Sequence, residues 1–211
     1  MRSLWSETSG IQPTEYSRDA RAIAQEESTP GSAHAFGILR IVFGLVWAID
    51  AYFKWQPAFQ SGLITYLTGG MEGQPAPVMA WVKFWIDVVR INPHVFAHIV
   101  ALSETALAIA LIVGVLSNTA DLGGVLLALV IWSTAEGFGG PYKAGSTDIG
   151  ASIIYVLVFA ALFLSQSGLY FGIDRRLTPM LGRWGWLASA PIGWRGHPLR
   201  HVTVTPEKAA L

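Results

Sequence analysis

The sequence predicts an all-α membrane protein, a bundle of four transmembrane helices with an interfacial helix in the loop between the first two. Of the 211 residues, 52% are hydrophobic and only 13% are charged, a balance that is unusual for a soluble domain. The apolar residues fall into four blocks, and we place the spans at about 35–55, 95–116, 122–138 and 149–165. Each block has about the length that a helix rising about 1.5 Å per residue needs to cross a hydrocarbon layer of about 30 Å. A soluble chain of this size is too small to bury four such helices.

The segments on either side of the membrane domain (35–166) are polar. Residues 1–34 contain no apolar stretch before a small-residue cleavage site, so we expect no cleaved signal peptide. An even number of spans places this tail and the basic tail 167–211 on the same side. Together the tails carry nine arginine and lysine residues, against four on the opposite side. The positive-inside rule therefore predicts that both termini are cytoplasmic.

The loop between the first two spans carries the predicted interfacial helix, in the stretch "APVMAWVKFWIDVVRINP". Val78, Val82 and Val89 belong to its apolar face, and Trp81 and Trp85 are placed at the depth of the lipid headgroups. Lys83, Asp87 and Arg90 have the spacing of ion pairs along a helix. A lid over an active site and a cap without function both fit this pattern.

Several classes of function find no motif in the chain. It has no cysteine, so it supplies no disulfide, haem thioether or iron–sulfur ligand. No nucleotide-binding glycine loop, zinc-protease motif, haem motif or flavin motif is present, and the arginines of the tails fit lipid anchoring better than nucleic acid. His94 and His98 have the one-turn spacing of a metal chelate, but two histidines without a third ligand are weak support, and we predict no metal.

Two ionisable residues deep in the spans predict a structural ion pair. Arg40 lies in the first span and Glu104 near the middle of the second, and pairing is the least costly way for hydrocarbon to accommodate either charge. A catalytic or ligand-binding role for Glu104 is the alternative. Arg40, Trp47 and Lys54 follow one another at intervals of seven residues, so they are predicted to share the inward face of the first helix.

A second group of ionisable residues converges on the outer ends of the spans. Asp50, Glu136, Asp148 and His98 are candidate proton donors and acceptors, which suits a quinone because its reduction takes up two protons. Lys54 and Lys143 are candidates for binding an anionic substrate. The aromatic side chains that could hold a ring are Trp47, Tyr52, Trp132 and Tyr155.

The same outer charges have a simpler interpretation, in which they only solvate the helix ends. Asp148 in particular follows "ST" and precedes "IGASIIY", so it can cap the fourth helix. Glu136 has no such structural reason in the sequence. It is therefore the best single candidate for chemistry.

Three stretches resemble the DoxX-like family. "GILRIVFGLVWAIDAYFKW" is similar to its first helix and "ALSETALAIALIVGVLSNTA" to its second, while "AEGFGGPYKAGSTDIGASIIYVLVFAALFL" is similar to the DoxD-type branch, the small subunit of thiosulfate:quinone oxidoreductase. The resemblance covers about residues 35–176. Its matching positions are Arg40, Lys54, Glu104, Glu136 and Asp148. Asp50 and Ala51 stand where many DoxX-like proteins have a His-Gly pair.

The resemblance implies a multi-pass subunit of the bacterial or archaeal plasma (inner) membrane, in a respiratory redox system that oxidises thiosulfate or a related sulfur compound and passes electrons to quinone. The implied cofactor is the quinone. The implied partners are the lipid bilayer and either other redox subunits or further copies of the chain. A non-catalytic accessory subunit and a pathway for small solutes or ions remain as alternatives.

Overall fold

The computed structural model describes residues 30–143 and 148–191. Predictions that concern the rest of the chain lie outside these residues. They include the cytoplasmic placement of the two tails, most of the arginines on which it depends, and the "ST" before Asp148.

The described part of the chain is helical and contains no strand, which confirms the all-α prediction. Its α-helices, in chain order, are α1 (Pro30–Lys54), α2 (Pro57–Gly69), α3 (Ala76–Val89), α4 (Pro93–Val113), α5 (Ser117–Ser133), α6 (Ala151–Ser165) and α7 (Asp174–Met180). Three short 3₁₀ turns lie at Gly137–Gly139, Ser167–Leu169 and Gly182–Leu187.

Helix α4 shows how local sequence sets these boundaries. Pro93 occupies its first turn, where the missing N–H is not needed, and the side chain of Asn92 accepts a hydrogen bond from the Val95 N–H at 3.2 Å. The helix ends at Gly114, whose φ of 67° lies in the left-handed region that favours glycine.

The prediction for the third apolar helix was wrong by several residues at both ends. The predicted span 122–138 is replaced by α5, Ser117–Ser133. The polar stretch "SNTAD" is helical because Asp174 accepts hydrogen bonds from Leu116 N–H at 2.7 Å and Ser117 N–H at 2.8 Å, at the start of the helix. Glu136 therefore lies beyond the end of α5 rather than inside it.

The four most apolar helices, α1, α4, α5 and α6, pack as a ring in which neighbouring helices are antiparallel. The contacts of α1 with α4 and of α5 with α6 are the most extensive, and α4–α5 and α1–α6 contacts close the ring. Gly44 lets α1 approach α4 closely, since a Cβ there would lie 2.9 Å from the Leu111 Cβ. On the other pair, Gly124 of α5 lies directly against the ring of Phe159.

The core of the ring is aromatic. Phe43 and Trp47 of α1 pack against Tyr155 and Phe159 of α6, and the Phe43 and Phe159 ring centroids are 4.9 Å apart in an edge-on arrangement. Such pairs add about 1 kcal/mol to the stabilisation from burial. Arg40, Trp47 and Lys54 are all buried, which confirms that their stripe faces inward.

The outer surface of the ring is apolar as well. Two segments, His34–Lys54 of α1 and Pro93–Val113, which is the whole of α4, are long and apolar enough to cross a membrane. Their mean hydropathies are 1.7 and 2.0. Helices α5 and α6 are apolar but shorter, with 17 and 15 residues. Large exposed apolar side chains occur on all four, among them Ile49, Leu102, Leu126 and Leu157.

Helices α2 and α3 form a hairpin at the end of the ring where Lys54 lies. Leu63 and Leu67 of α2 pack against Val82 and Ile86 of α3. The sequence predicted α3 with its buried Val82 and Val89, but it did not predict α2. The hairpin is tied to the turn after α5, where the buried Gln74 side chain donates a hydrogen bond to the Gly137 carbonyl at 3.0 Å.

Candidate functional site

A cavity of about 420 Å³ lies between the α2–α3 hairpin and the end of the helix ring. Its walls come from six helices, α1 to α6. Most of the lining is apolar, including Phe53, Phe59, Leu63, Tyr66, Trp85 and Phe96. Its volume is in the range of sites that hold small organic ligands.

The polar wall of the cavity is built around Lys54. The Lys54 ammonium lies 2.9 Å from Asp50 Oδ1 and 3.3 Å from Glu104 Oε2. Asp50 precedes Lys54 by one helical turn, while Glu104 is contributed by α4. The Lys54 ammonium also lies 5.4 Å from the centre of the Phe59 ring. One cation is thus held between two carboxylates at the edge of an apolar chamber.

Glu104 is the most deeply buried member of this group, with no exposed surface. Neither of its carboxylate oxygens accepts a hydrogen bond from the part of the chain that the structure describes. The contact with Lys54 is therefore an ion pair without hydrogen-bond alignment. A buried carboxylate that keeps free acceptor positions beside a cavity is costly unless something else satisfies it.

The predicted ion pair between Arg40 and Glu104 is wrong. Glu104 pairs with Lys54, and the Arg40 guanidinium instead donates hydrogen bonds to the backbone carbonyls of Leu111 and Tyr170, the latter at 3.1 Å. Gly44 explains the difference, because its lack of a side chain lets α1 pack against α4 at Leu111 and Ile112. Glu104 precedes Leu111 by about two helical turns. Because the two helices are antiparallel, Glu104 therefore lies beside Lys54 rather than Arg40.

Arg40 belongs to a separate buried cluster at the opposite end of the ring. It interacts electrostatically with Asp121 and Asp174, both fully buried. Asp174 accepts from two backbone N–H groups at the start of α5 and from the Ser189 hydroxyl at 2.8 Å. This cluster ties α1, α5 and the segment after α6 together, and none of its three charged side chains lines the cavity.

Glu136 lines the cavity, but it has a structural role that the sequence did not reveal. Its carboxylate accepts hydrogen bonds from the Ser152 N–H at 3.1 Å and from the Ser152 hydroxyl at 2.8 Å. Ser152 is in the first turn of α6, so Glu136 satisfies a helix N-terminus from a distant position. Asp148 accepts a hydrogen bond from the Gly150 N–H at 2.9 Å, just before the helix begins. The capping role expected of Asp148 is thus taken by Glu136.

The four aromatic residues predicted to hold a ring divide into two pairs. Trp47 and Tyr155 line the cavity. Tyr52 is 62% exposed on the outer face of α1, and Trp132 donates its indole N–H to the Ile149 carbonyl at 2.8 Å. Trp132 therefore holds the hairpin between α5 and α6 together.

Two other predicted residues, Lys143 and His98, lie outside the cavity lining. Lys143 is near Gly73, on the loop that follows the cis Gly140–Pro141 bond. His98 points one ring nitrogen at the His94 carbonyl, 2.7 Å away, and packs edge-on against Trp55. Within residues 30–143 and 148–191, no group of three or more His, Asp or Glu side chains is arranged to hold a metal ion.

The sequence did not predict the residues of the α2–α3 hairpin that line the cavity. Phe59, Leu63 and Tyr66 come from α2, and Trp85 was assigned to the membrane interface. The indole nitrogens of Trp47 and Trp85 are buried and have no hydrogen-bond partner among the described residues. The apolar spacing of "AFQSGLITYL" was the signal that could have predicted α2.

Comparison with protein-family models, with curated proteins and with solved structures finds no match. The chemistry of the site therefore rests on its geometry. The apolar and aromatic walls favour a ligand with a flat apolar ring. Lys54 and the indole N–H groups of Trp47 and Trp85 can donate hydrogen bonds to it. Asp50 and Glu104 can accept protons.

Proposed function

We propose that the chain is a membrane subunit that binds the ring of a quinone in this cavity, as part of a quinone-linked redox system. The observation that carries the proposal is the position of Lys54. It is held between Asp50 and the fully buried Glu104, at the polar wall of an otherwise apolar chamber. The resemblance to the DoxX-like family is consistent with this assignment.

The apolar surface supports a membrane location. Ile49, Leu102, Leu126 and Leu157 are between 56% and 66% exposed on the four helices of the ring. Helices that are apolar on both their inner and outer faces are typical of a lipid environment. We propose that all four cross the bilayer, with α3 near its surface and both termini in the cytoplasm.

The proposed chemistry is the two-electron, two-proton reduction of a quinone to a quinol. The Lys54 ammonium would donate a hydrogen bond to one ring carbonyl, where negative charge develops when electrons arrive from a partner subunit. Asp50 and Glu104 would pass two protons from the aqueous phase to the reduced ring by way of Lys54. Trp47 and Tyr155 provide the aromatic surface against which the ring packs.

The cavity is a poor site for an anionic electron donor. Lys54 is balanced by two carboxylates, and Glu136 adds another acidic group to the lining. Lys143 lies outside it, so the two lysines do not form a joint anion site. We therefore place the oxidation of thiosulfate or a related sulfur compound on a partner subunit, which also supplies the electron-transfer centre because this chain has no cysteine ligands.

A non-catalytic accessory subunit is the second candidate, and one observation favours it. Asp50, Lys54, Glu104 and Glu136 all have partners within the chain, so each has a structural reason to be present. In that case the charges hold the helices together and the subunit anchors a larger assembly.

Quinone titration separates the two candidates. Protein in lipid nanodiscs is titrated with benzoquinones and naphthoquinones while tryptophan emission is recorded, since Trp47 and Trp85 line the cavity. We expect saturable quenching that is weakened at least tenfold in a Lys54→Met/Glu104→Gln variant, which removes both charges of one ion pair. Lys83→Met, at an exposed ion pair with Asp87, is the control and should bind as the wild type does. Equal binding by all three proteins, or by none, would favour the accessory role.

A further inference from the structure

A second apolar depression lies beside the cavity, on the seam between α4 and α5. This groove has a volume of about 510 Å³. It runs from Val115 and Leu116, in the turn that joins the two helices, to Val130 near the end of α5. Its lining is almost entirely apolar, with Ser103 and Thr119 as the hydroxyl-bearing exceptions.

The groove exists because α4 and α5 are joined tightly at one end and carry small side chains along the seam. Only Gly114, Val115 and Leu116 separate the helices. Ala106 faces the seam from α4 and Gly123 from α5. A Cβ added to Gly123 would meet no atom within 4 Å. The contacts between α4 and α5 are accordingly much less extensive than those of α1 with α4.

The groove and the cavity share part of their walls. Leu127 and Val130 of α5 line both. Leu127 and Val130 are therefore the side chains that a ligand extending from Tyr155 and Lys54 into the groove would pass. The groove also lies on the outer surface of the ring, where Leu126 is 66% exposed.

We propose that the groove between α4 and α5 holds the isoprenoid tail of the quinone whose ring occupies the cavity. The inference rests on the quinone-binding function proposed above and specifies its ligand, a long-tailed lipid-soluble quinone rather than a short soluble one. The apolar lining matches a hydrocarbon chain. The shared residues Leu127 and Val130 place the ring site and the tail site next to each other, which is the arrangement that one ligand with a ring and a tail requires and that a separate lipid or partner helix on the groove would not require.

Tail length distinguishes this proposal from its alternatives. Protein in nanodiscs is titrated with quinones that carry a single isoprenoid unit or several, compared at equal mole fraction in the lipid so that partitioning cancels. The tail moves from lipid rather than from water into the groove, so the preference comes from packing against the groove walls, and we expect the wild type to bind the long-tailed quinone at least tenfold more tightly. Benzoquinone and naphthoquinone rings are both used.

Two variants fill the groove from opposite walls, Gly123→Leu on α5 and Ala106→Leu on α4. Both residues are exposed in the groove, and both changes introduce a good helix former. Each should abolish the preference for the long tail and leave short-tail binding within twofold of the wild type. Gly62→Leu is the matched control, because Gly62 also has no atom within 4 Å of an added Cβ and lies on α2 outside the groove. It should change neither binding.

The outcomes separate the two proposals. Short-tail binding without any preference for the long tail, or a preference that survives both groove variants, overturns the tail site and leaves the ring site standing. The latter result would indicate that the groove holds an ordinary lipid chain or a second copy of the protein. Absence of binding by every quinone overturns the proposed function and the tail site together.

Discussion

The two ends of the helix ring each contain a buried cation among carboxylates, yet they are built differently. Arg40 donates hydrogen bonds to the backbone carbonyls of Leu111 and Tyr170, where α1, α4 and the segment after α6 meet. Lys54 contacts two side-chain carboxylates and lines a cavity. The same helix face thus carries a charge that holds the fold together and, two heptads on, a charge that is accessible to a ligand.

Substitution of Arg40 should have the largest effect. Arg40→Met removes hydrogen bonds to two carbonyls and leaves Asp121 and Asp174 without their buried cation, which costs about 5 kcal/mol or more. We expect little folded protein by size-exclusion chromatography in detergent. Arg90→Met is the control, because Arg90 is 58% exposed in its ion pair with Asp87. A normal yield of folded Arg40→Met protein would show that Arg40 is not required to hold the fold together.

Substitution of Lys54 should have a smaller effect on stability and a larger one on binding. Lys54→Met leaves Glu104 as an unpaired buried carboxylate, which costs about 3 kcal/mol. Thermal unfolding should show a lower midpoint that Glu104→Gln in the same chain partly restores. If the second substitution lowers the midpoint further, the two residues do not act as a pair.

Removal of the Glu136 charge tests whether this carboxylate is structural. Glu136→Gln weakens the hydrogen bonds to Ser152 at the start of α6 and should lower the stability by about 1 kcal/mol. Quinone binding should change less than in the Lys54 variant. Glu72→Gln, at an exposed position of the α2–α3 turn, is the matched control. Unchanged stability with lost binding would make Glu136 a ligand-binding residue instead.

The smallest effect is expected at the exposed pair of α3. Lys83 donates a hydrogen bond to Asp87 and holds the pKa of that carboxyl below its ordinary value of 3.8. A lowered pKa in the folded state means that the pair stabilises the protein above the ordinary pKa, and that this contribution is lost as the pH falls through the lowered pKa. Lys83→Met should change the unfolding midpoint slightly at pH 7 and by a smaller amount at pH 3. An equal change at both pH values would mean that the effect of the substitution is not electrostatic.

Local patterns predicted the residues whose partners lie on the same helix. The heptad stripe of Arg40, Trp47 and Lys54 and the ion pairs of Asp87 with Lys83 and Arg90 depend only on helical periodicity, and both are present. The apolar blocks likewise predicted four of the helices. Trp47 and Tyr155 could be placed near the site because each lies on an inward helix face.

Contacts between helices were harder to predict because they depend on how the helices are offset. The close approach at Gly44 sets the position of α4 along α1. As a result, Glu104 forms its ion pair with Lys54 instead of Arg40. Glu136 reaches Ser152 across a hairpin, and no local motif describes such a cap. Helix α2 has a helical apolar spacing but only 13 residues, too few to cross a membrane, so the apolar blocks that predicted the spans did not include it.

The location of a bound quinone tests the central claim most directly. Wild-type protein in nanodiscs is irradiated with a quinone that carries a photoreactive azide on its ring, and the labelled residues are identified by mass spectrometry. We predict labels on Trp47, Tyr66, Trp85 or Tyr155 that excess unlabelled quinone suppresses and that the Lys54→Met/Glu104→Gln variant loses. Labels that respond to competition but lie only on the exposed outer faces of the ring, or no such labels at all, would contradict a quinone site between Lys54 and Glu104.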